Sequence, residues 1–132
     1  MHLDHANIVT PDLDRTVDFF TDVLGFTTGP RPNFRVPGAW LYRDGRPLIH
    51  LTQATAGSPT ASVSPRIDHI ALRVADLEEW NTLLARVKAR GLEYRLNTGN
   101  DGSDFQLWVL LAAGVSIEII VGCEDAEQTA GV

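Results

Sequence analysis

Two stretches of the chain repeat one short pattern. Leu3-Asp4-His5 opens the first, and Ile67-Asp68-His69 opens the second. Each continues through an apolar, strand-like run to an Asp-Leu pair, Asp12-Leu13 and Asp76-Leu77, where a helical pattern begins. A repeat constrains a fold more tightly than any single motif, because each copy is one supersecondary unit that needs a neighbour to cover its apolar face. It also sets His5 and His69 at equivalent points of two similar units.

The first half is expected to span 2–52. Residues 2–9 read as a strand and Asp12 to Val23 as a helix, with Leu13, Val17, Phe20 and Leu24 at helical spacing. Asp12 and Asp14 suit the positive end of that helix, and Gly25 suits its stop. A short strand near Phe26 to Thr28 follows. Pro30, Pro32 and Pro37 stiffen the next loop. Ala39 to Arg43 and Leu48 to Thr52 read as a hairpin around Asp44-Gly45. Residues 53–65, rich in Ala, Thr, Ser, Gly and Pro, read as a linker.

The order then recurs over 66–122. Asp68 to Val74 reads as a strand, and Leu77 to Arg90 as a helix closed by Gly91. A short strand near Tyr94 to Leu96 and a polar loop, Asn97 to Asp104, come next. Phe105 to Leu111 and Ser116 to Val121 form a second hairpin around Ala113-Gly114. Residues 123–132 read as a flexible tail. The expected class is α+β: two paired βαβββ modules within a single domain, 1–132, whose open sheet faces form a metal-binding cleft.

Composition narrows the function. A chain of 132 residues suits one domain, and 44% hydrophobic residues suit a buried core. A formal charge of -6 with no basic patch argues against nucleic-acid and anionic-membrane partners. The single cysteine, Cys123, excludes an intrachain disulfide and has no base beside it, so it reads as an apolar residue. No leader-like segment precedes His2 and no apolar run is long enough to span a membrane, so the expected location is cytoplasmic.

Strand parity brings four residues together. Side chains alternate faces along a strand. His5 lies opposite the apolar face of Ala6 and Ile8, and His69 opposite Ile70 and Leu72. In the last strand of each half, His50 opposes Ile49 and Leu51, and Glu118 opposes Ile117 and Ile119. Three imidazoles and a carboxylate suit a divalent ion such as Fe, Mn, Ni, Co or Zn. Each residue alone is more simply an ordinary polar side chain. A glutamate between two isoleucines is harder to explain so, since a buried unpaired carboxylate is costly. His2 precedes the pattern and reads as an exposed terminal residue.

These motifs, with Val23-Leu24-Gly25-Phe26 and Gly114-Val115-Ser116-Ile117-Glu118, resemble the vicinal oxygen chelate superfamily over residues 2–121. That group includes glyoxalase I, extradiol dioxygenases, fosfomycin resistance proteins, bleomycin-resistance proteins and methylmalonyl-CoA epimerase. The resemblance implies paired βαβββ modules and a metal held at His5, His50, His69 and Glu118. It implies a small substrate chelated through neighbouring oxygens, and modules that pair within a chain or between chains; a homodimer is the expected assembly. The metal would stabilise developing negative charge, while His50 or Glu118 moves a proton.

The resemblance leaves the member open. A glyoxalase-like isomerase or lyase leads. His50 stands where small bacterial glyoxalases usually have Glu, as a fourth ligand or a base. A glutathione-type substrate would want a cation, for which Arg31, Arg35, Arg43 and Arg73 are candidates against ordinary surface roles. An Fe(II) extradiol dioxygenase would use His5, His69 and Glu118. Its usual loop histidine and strand tyrosine are replaced by Asn100-Asp101-Gly102-Ser103 and Trp108. A non-catalytic bleomycin-resistance-type binding protein would lack a complete ligand set, and this chain has one. Trp40, Tyr42 and Arg73 are the candidate substrate-binding residues. Trp108, at the place equivalent to Trp40, is expected in the core.

Overall fold

Both α-helices start on the aspartate of the repeated Asp-Leu pair. Asp12 caps α1 (Leu13–Asp18), its Oδ1 accepting from the Arg15 amide at 3.1 Å. Asp76 caps α2 (Leu77–Ala89) in the same way, through the Glu79 amide at 2.9 Å. The Glu79 carboxylate reaches back to the Ala75 amide at 3.1 Å, tying the residue before the cap to the first turn of the helix. The repeat in sequence is thus a repeat of strand, cap and helix.

The structure is a computed structural model and describes residues 1–54, 65–99, 102–112 and 114–124. These form eight strands: β1 (His2–Thr10), β2 (Thr27–Gly29), β3 (Gly38–Arg43), β4 (Arg46–Gln53), β5 (Arg66–Arg73), β6 (Tyr94–Thr98), β7 (Asp104–Ala112) and β8 (Val115–Gly122). With the two α-helices they make an α+β fold of βαβββ modules, as expected. Most of the proposed linker, the Ala113 turn position, Asn100, Asp101 and the tail beyond Glu124 lie outside the described residues. Gln53, placed in the linker by composition, ends β4.

One difference lies in the first helix. The α-helix stops at Asp18, and Phe19–Val23 is a π-helical turn. The Leu24 amide reaches the Phe19 carbonyl at 3.3 Å. The Thr21 hydroxyl donates to the Val17 carbonyl at 3.1 Å, a back-bond that competes with the helical ladder at this turn. Apolar spacing alone does not register such a change.

Contacts divide the chain into two compact units: His5–His69, and Met1–Asp4 with Ile70–Val132. The Arg73 guanidinium pairs with Asp4, drawing the N-terminal residues to the later part of the chain. His5 and His69 meet within the other unit.

In the His5–His69 unit the strand order is β2-β3-β4-β1, with β1 parallel to β4 and the other pairs antiparallel. Asp44 and Gly45, at φ 53° and 76°, make the tight turn between β3 and β4, as their sequence predicts. Leu41 and Leu51 are fully buried. In the other unit the order is β5-β8-β7-β6. Leu107, Val109, Ile119 and Val121 pack with Trp80 and Val87 of α2 and with Val74. Burying such side chains stabilises by about 1.5–3 kcal/mol each. The parity that fills this core leaves Glu118 on the opposite face of β8.

Candidate metal centre

The two repeat histidines meet. Nε2 of His5 lies 3.3 Å from Nε2 of His69, with the rings at 82°. Two neutral imidazoles that face each other through the same nitrogen share at most one hydrogen bond; a cation between them uses both lone pairs. Two nitrogens about 2.1 Å from one ion stand about 3.0–3.4 Å apart for angles between right and tetrahedral. The observed separation falls in that range, so the pair fits a divalent ion.

The tautomer of His69 is set from behind. Its Nδ1 donates to Oδ2 of Asp68 at 3.0 Å, which leaves the lone pair on Nε2, facing His5. Asp68 also accepts from Nη2 of Arg66 at 2.9 Å. The hydrogen bond from His69, chiefly, holds the Asp68 carboxyl below the usual range; partial burial opposes this, and the charges of His69 and Arg66 assist it. Asp68 was visible in the sequence only as part of the repeat. Consecutive strand residues point to opposite faces, so parity gives no reason to pair Asp68 with His69. The adjacency of a carboxylate to a candidate ligand was the one available signal. Its counterpart Asp4 accepts from Arg73 instead.

His50 reaches the same neighbourhood in a different way. In register it sits between Asn7 of β1 and Trp40 of β3. Its ring stacks on His5 at 3.7 Å between centroids and on Trp40 at 4.0 Å, both at 13°. It therefore offers His5 a ring face rather than a lone pair. Nε2 of His50 lies 3.1 Å from the Pro47 carbonyl. A carbonyl only accepts, so Nε2 carries the proton and the lone pair of the neutral ring is on Nδ1.

Glu118 is 2% exposed, in the middle of β8. Its register partner on β7 is Trp108. The sequence placed Trp108 in the core. In the structure Leu107 and Val109 fill the helix-packed cluster, and alternation puts Trp108 on the Glu118 face. The Arg95 guanidinium lies 5.3 Å from its ring centroid. Trp40 against His50 and Trp108 against Glu118 are thus equivalent cross-strand pairs.

The other two candidates for substrate contact have partners of their own. The β3–β4 register shifts between Leu41 and Tyr42, and the Tyr42 hydroxyl donates to the Pro30 carbonyl. Its ring lies over Gly29, where a Cβ would come 2.6 Å from the ring edge. Arg73 donates to Asp104 through Nη1 and Nη2 at 3.0 and 3.1 Å, and to Asp4 through Nε at 3.0 Å. The hydrogen bonds to Asp104 raise its pKa most, burial lowers it, and Asp4 raises it further.

Over residues 2–105 the chain matches the Glyoxalase/Bleomycin resistance protein/Dioxygenase superfamily. The chain belongs to this superfamily. Among curated members it is 35% identical over 96 residues to the biphenyl-2,3-diol 1,2-dioxygenase of Paraburkholderia xenovorans (strain LB400), covering 68% of this chain and 30% of that one. It is 30% identical over 93 residues to a manganese-dependent 2,3-dihydroxybiphenyl 1,2-dioxygenase of Geobacillus genomosp. 3, covering 67% and 26%. The chain thus spans less than a third of the length of either superfamily relative. Among solved structures, methylmalonyl-CoA epimerase from Mycobacterium tuberculosis matches with a TM-score of 0.63 at 22% identity, over 99% of this chain and 92% of that one. That likeness shows the shared superfamily fold. Among the described residues no helix is long and apolar enough to cross a membrane.

Proposed function

We propose that the chain is a metal-dependent enzyme in which His5, His69 and Glu118 hold one divalent ion, and that it is an extradiol-type dioxygenase acting on a small vicinal diol. The observation that carries this reading is the approach of the two Nε2 atoms, with the tautomer of His69 set by Asp68. Two histidines and one carboxylate are the donor set of non-haem Fe(II) oxygenases, and they leave coordination positions open. Curated relatives that act on dihydroxybiphenyls support the same substrate class. Fe(II) or Mn(II) is the metal proposed.

The bound ion would supply Lewis acidity to two adjacent substrate oxygens and a site for oxygen. Asp68 keeps His69 in its ligating tautomer. His5, His50 and Trp40 form one stack that covers both faces of His50, so His50 offers a substrate only its ring edge. Nδ1 of His50 takes a proton from the substrate hydroxyl, while Nε2 stays anchored on the Pro47 carbonyl. In this reading His50 replaces the acid/base group that the 100–103 loop does not supply, and is not a ligand.

A metal-dependent isomerase or lyase of glyoxalase type is the second reading. It is favoured by the same placement of His50, since a base beside the donor pair serves proton abstraction next to a carbonyl equally well.

Oxygen uptake separates the two. Protein loaded with Fe(II) or Mn(II) is given 2,3-dihydroxybiphenyl in an oxygen electrode. Uptake of one oxygen per diol consumed is expected. No uptake, together with isomerisation of a hemithioacetal by the nickel- or zinc-loaded protein, transfers the assignment to the second reading. A folded protein that binds none of these metals overturns both.

A further inference from the structure

Asn7 is a buried amide that uses only half of its hydrogen-bonding capacity. It lies on β1 and is 8% exposed. Its Oδ1 accepts from the Thr52 hydroxyl at 3.1 Å. That bond fixes the side chain and turns Nδ2, with two protons to donate, the other way. Among the described residues Nδ2 has no hydrogen-bond partner, and it is not fully enclosed. An asparagine with a purely structural role in so buried a place would have both ends of its amide paired. Here the acceptor for the second end is whatever enters the site.

Two parts of the proposed site flank this amide. His5 stands two residues earlier on β1, on the same face by strand alternation and about 6.5 Å away along the strand. His50 is the register partner of Asn7 on β4, across the roughly 4.8 Å that separates neighbouring strands. Thr52, which anchors the amide, follows His50 by two residues on the same face of β4. All four residues belong to the His5–His69 unit. A small diol with one oxygen on an ion at His5 is thus within reach of both His50 and Asn7.

When His50 takes the proton of a substrate hydroxyl, a negative oxygen is left beside it. An amide N–H directed at that oxygen stabilises the charge, and does so more strongly where water is excluded. The amide carries no charge of its own and does not compete with His50 for the proton. We propose that Asn7 is a substrate-contacting residue whose Nδ2 donates to the diol oxygen that His50 deprotonates. This deepens, and rests on, the metal-centre reading: it adds the group by which the site selects an ionised diol.

The test is binding without oxygen. Manganese-loaded protein is titrated with 4-nitrocatechol, whose absorbance reports both its binding and its ionisation. Asn7→Leu removes the donor at similar size. It is expected to weaken nitrocatechol binding at least about tenfold, the scale of one charge-assisted hydrogen bond. Asn7→Asp keeps the bond from Thr52 but sets a negative charge where the donor was. It should weaken binding further and move the spectrum of the bound nitrocatechol towards the protonated form. Manganese affinity, measured against a chelator, should be unchanged in both variants. Urea midpoints establish which of them fold, and the aspartate variant decides the matter alone if the leucine variant does not. Unchanged nitrocatechol binding in a folded variant, or a loss matched by an equal loss of manganese affinity, overturns the proposal. Titrating metal-free protein tests the metal reading separately. Equal nitrocatechol affinity with and without manganese defeats that reading, while the difference between wild type and variant still decides the role of Asn7.

Discussion

Asp68 accepts a hydrogen bond from Nδ1 of His69 at 3.0 Å, from the residue next to it on the same strand. The contact fixes which nitrogen of His69 faces His5. Asp68→Asn keeps the shape, but its side chain can present its amide group to Nδ1 and then favours the wrong tautomer. Metal affinity is expected to fall about 10- to 100-fold, the usual effect of removing a group that orients a ligand. Metal titration against a chelator measures it. An affinity equal to the wild type's would show that Asp68 does not orient His69.

Removing a proposed donor should act more severely. His5→Ala and Glu118→Ala are each expected to abolish stoichiometric metal binding, measured by metal analysis after dialysis. His50→Ala should leave metal stoichiometry intact and depress turnover by about 100-fold or more, the scale of general acid–base catalysis. Metal loss in the His50 variant would restore that residue to the ligand set and overturn its assignment as the base.

Much of the proposed centre is legible in the chain. The repeat located His5 and His69, and alternation along β4 and β8 put His50 and Glu118 at equivalent positions. Alternation reports the face, not the direction in which a lone pair points. It therefore grouped His50 with the donors, although the ring is turned flat against His5 between Asn7 and Trp40 in register. The same limit hid the Asp68–His69 pair. Trp108 went to the core by residue type, against its own parity. The π-helical turn followed a local bond from Thr21 that apolar spacing does not encode. The Asp12 and Asp76 caps and the Asp44-Gly45 turn were readable because their causes lie within a few residues.

Arg73 offers a clean separation between a structural and a substrate-binding role. Three charge-assisted hydrogen bonds join it to Asp4 and Asp104, with the side chain 29% exposed. Arg73→Gln leaves two half-buried carboxylates facing each other without their cation. A loss of about 2–3 kcal/mol is expected, within the range for hydrogen bonds to charged groups. A urea titration reads it as a lower midpoint at unchanged slope. An unchanged midpoint with a raised KM would instead assign Arg73 to the substrate.

Gly38 tests how tightly β3 is built, because a Cβ there would also lie 2.5 Å from Nη2 of Arg31. It pairs with Thr52 across the β3–β4 ladder. A Cβ there would lie 2.2 Å from the Leu51 carbonyl oxygen, a backbone atom that cannot swing aside as a side chain can. Gly38→Ala therefore has to shift the strand as well as expel the guanidinium. Overpacking of this kind costs about 1–3 kcal/mol. The expected result is a lower thermal midpoint than that of Arg31→Gln, which removes the guanidinium and leaves the strand in place. Equal midpoints for the two variants would mean that β3 yields freely at Gly38, and that the close contact with Leu51 is not what keeps glycine there.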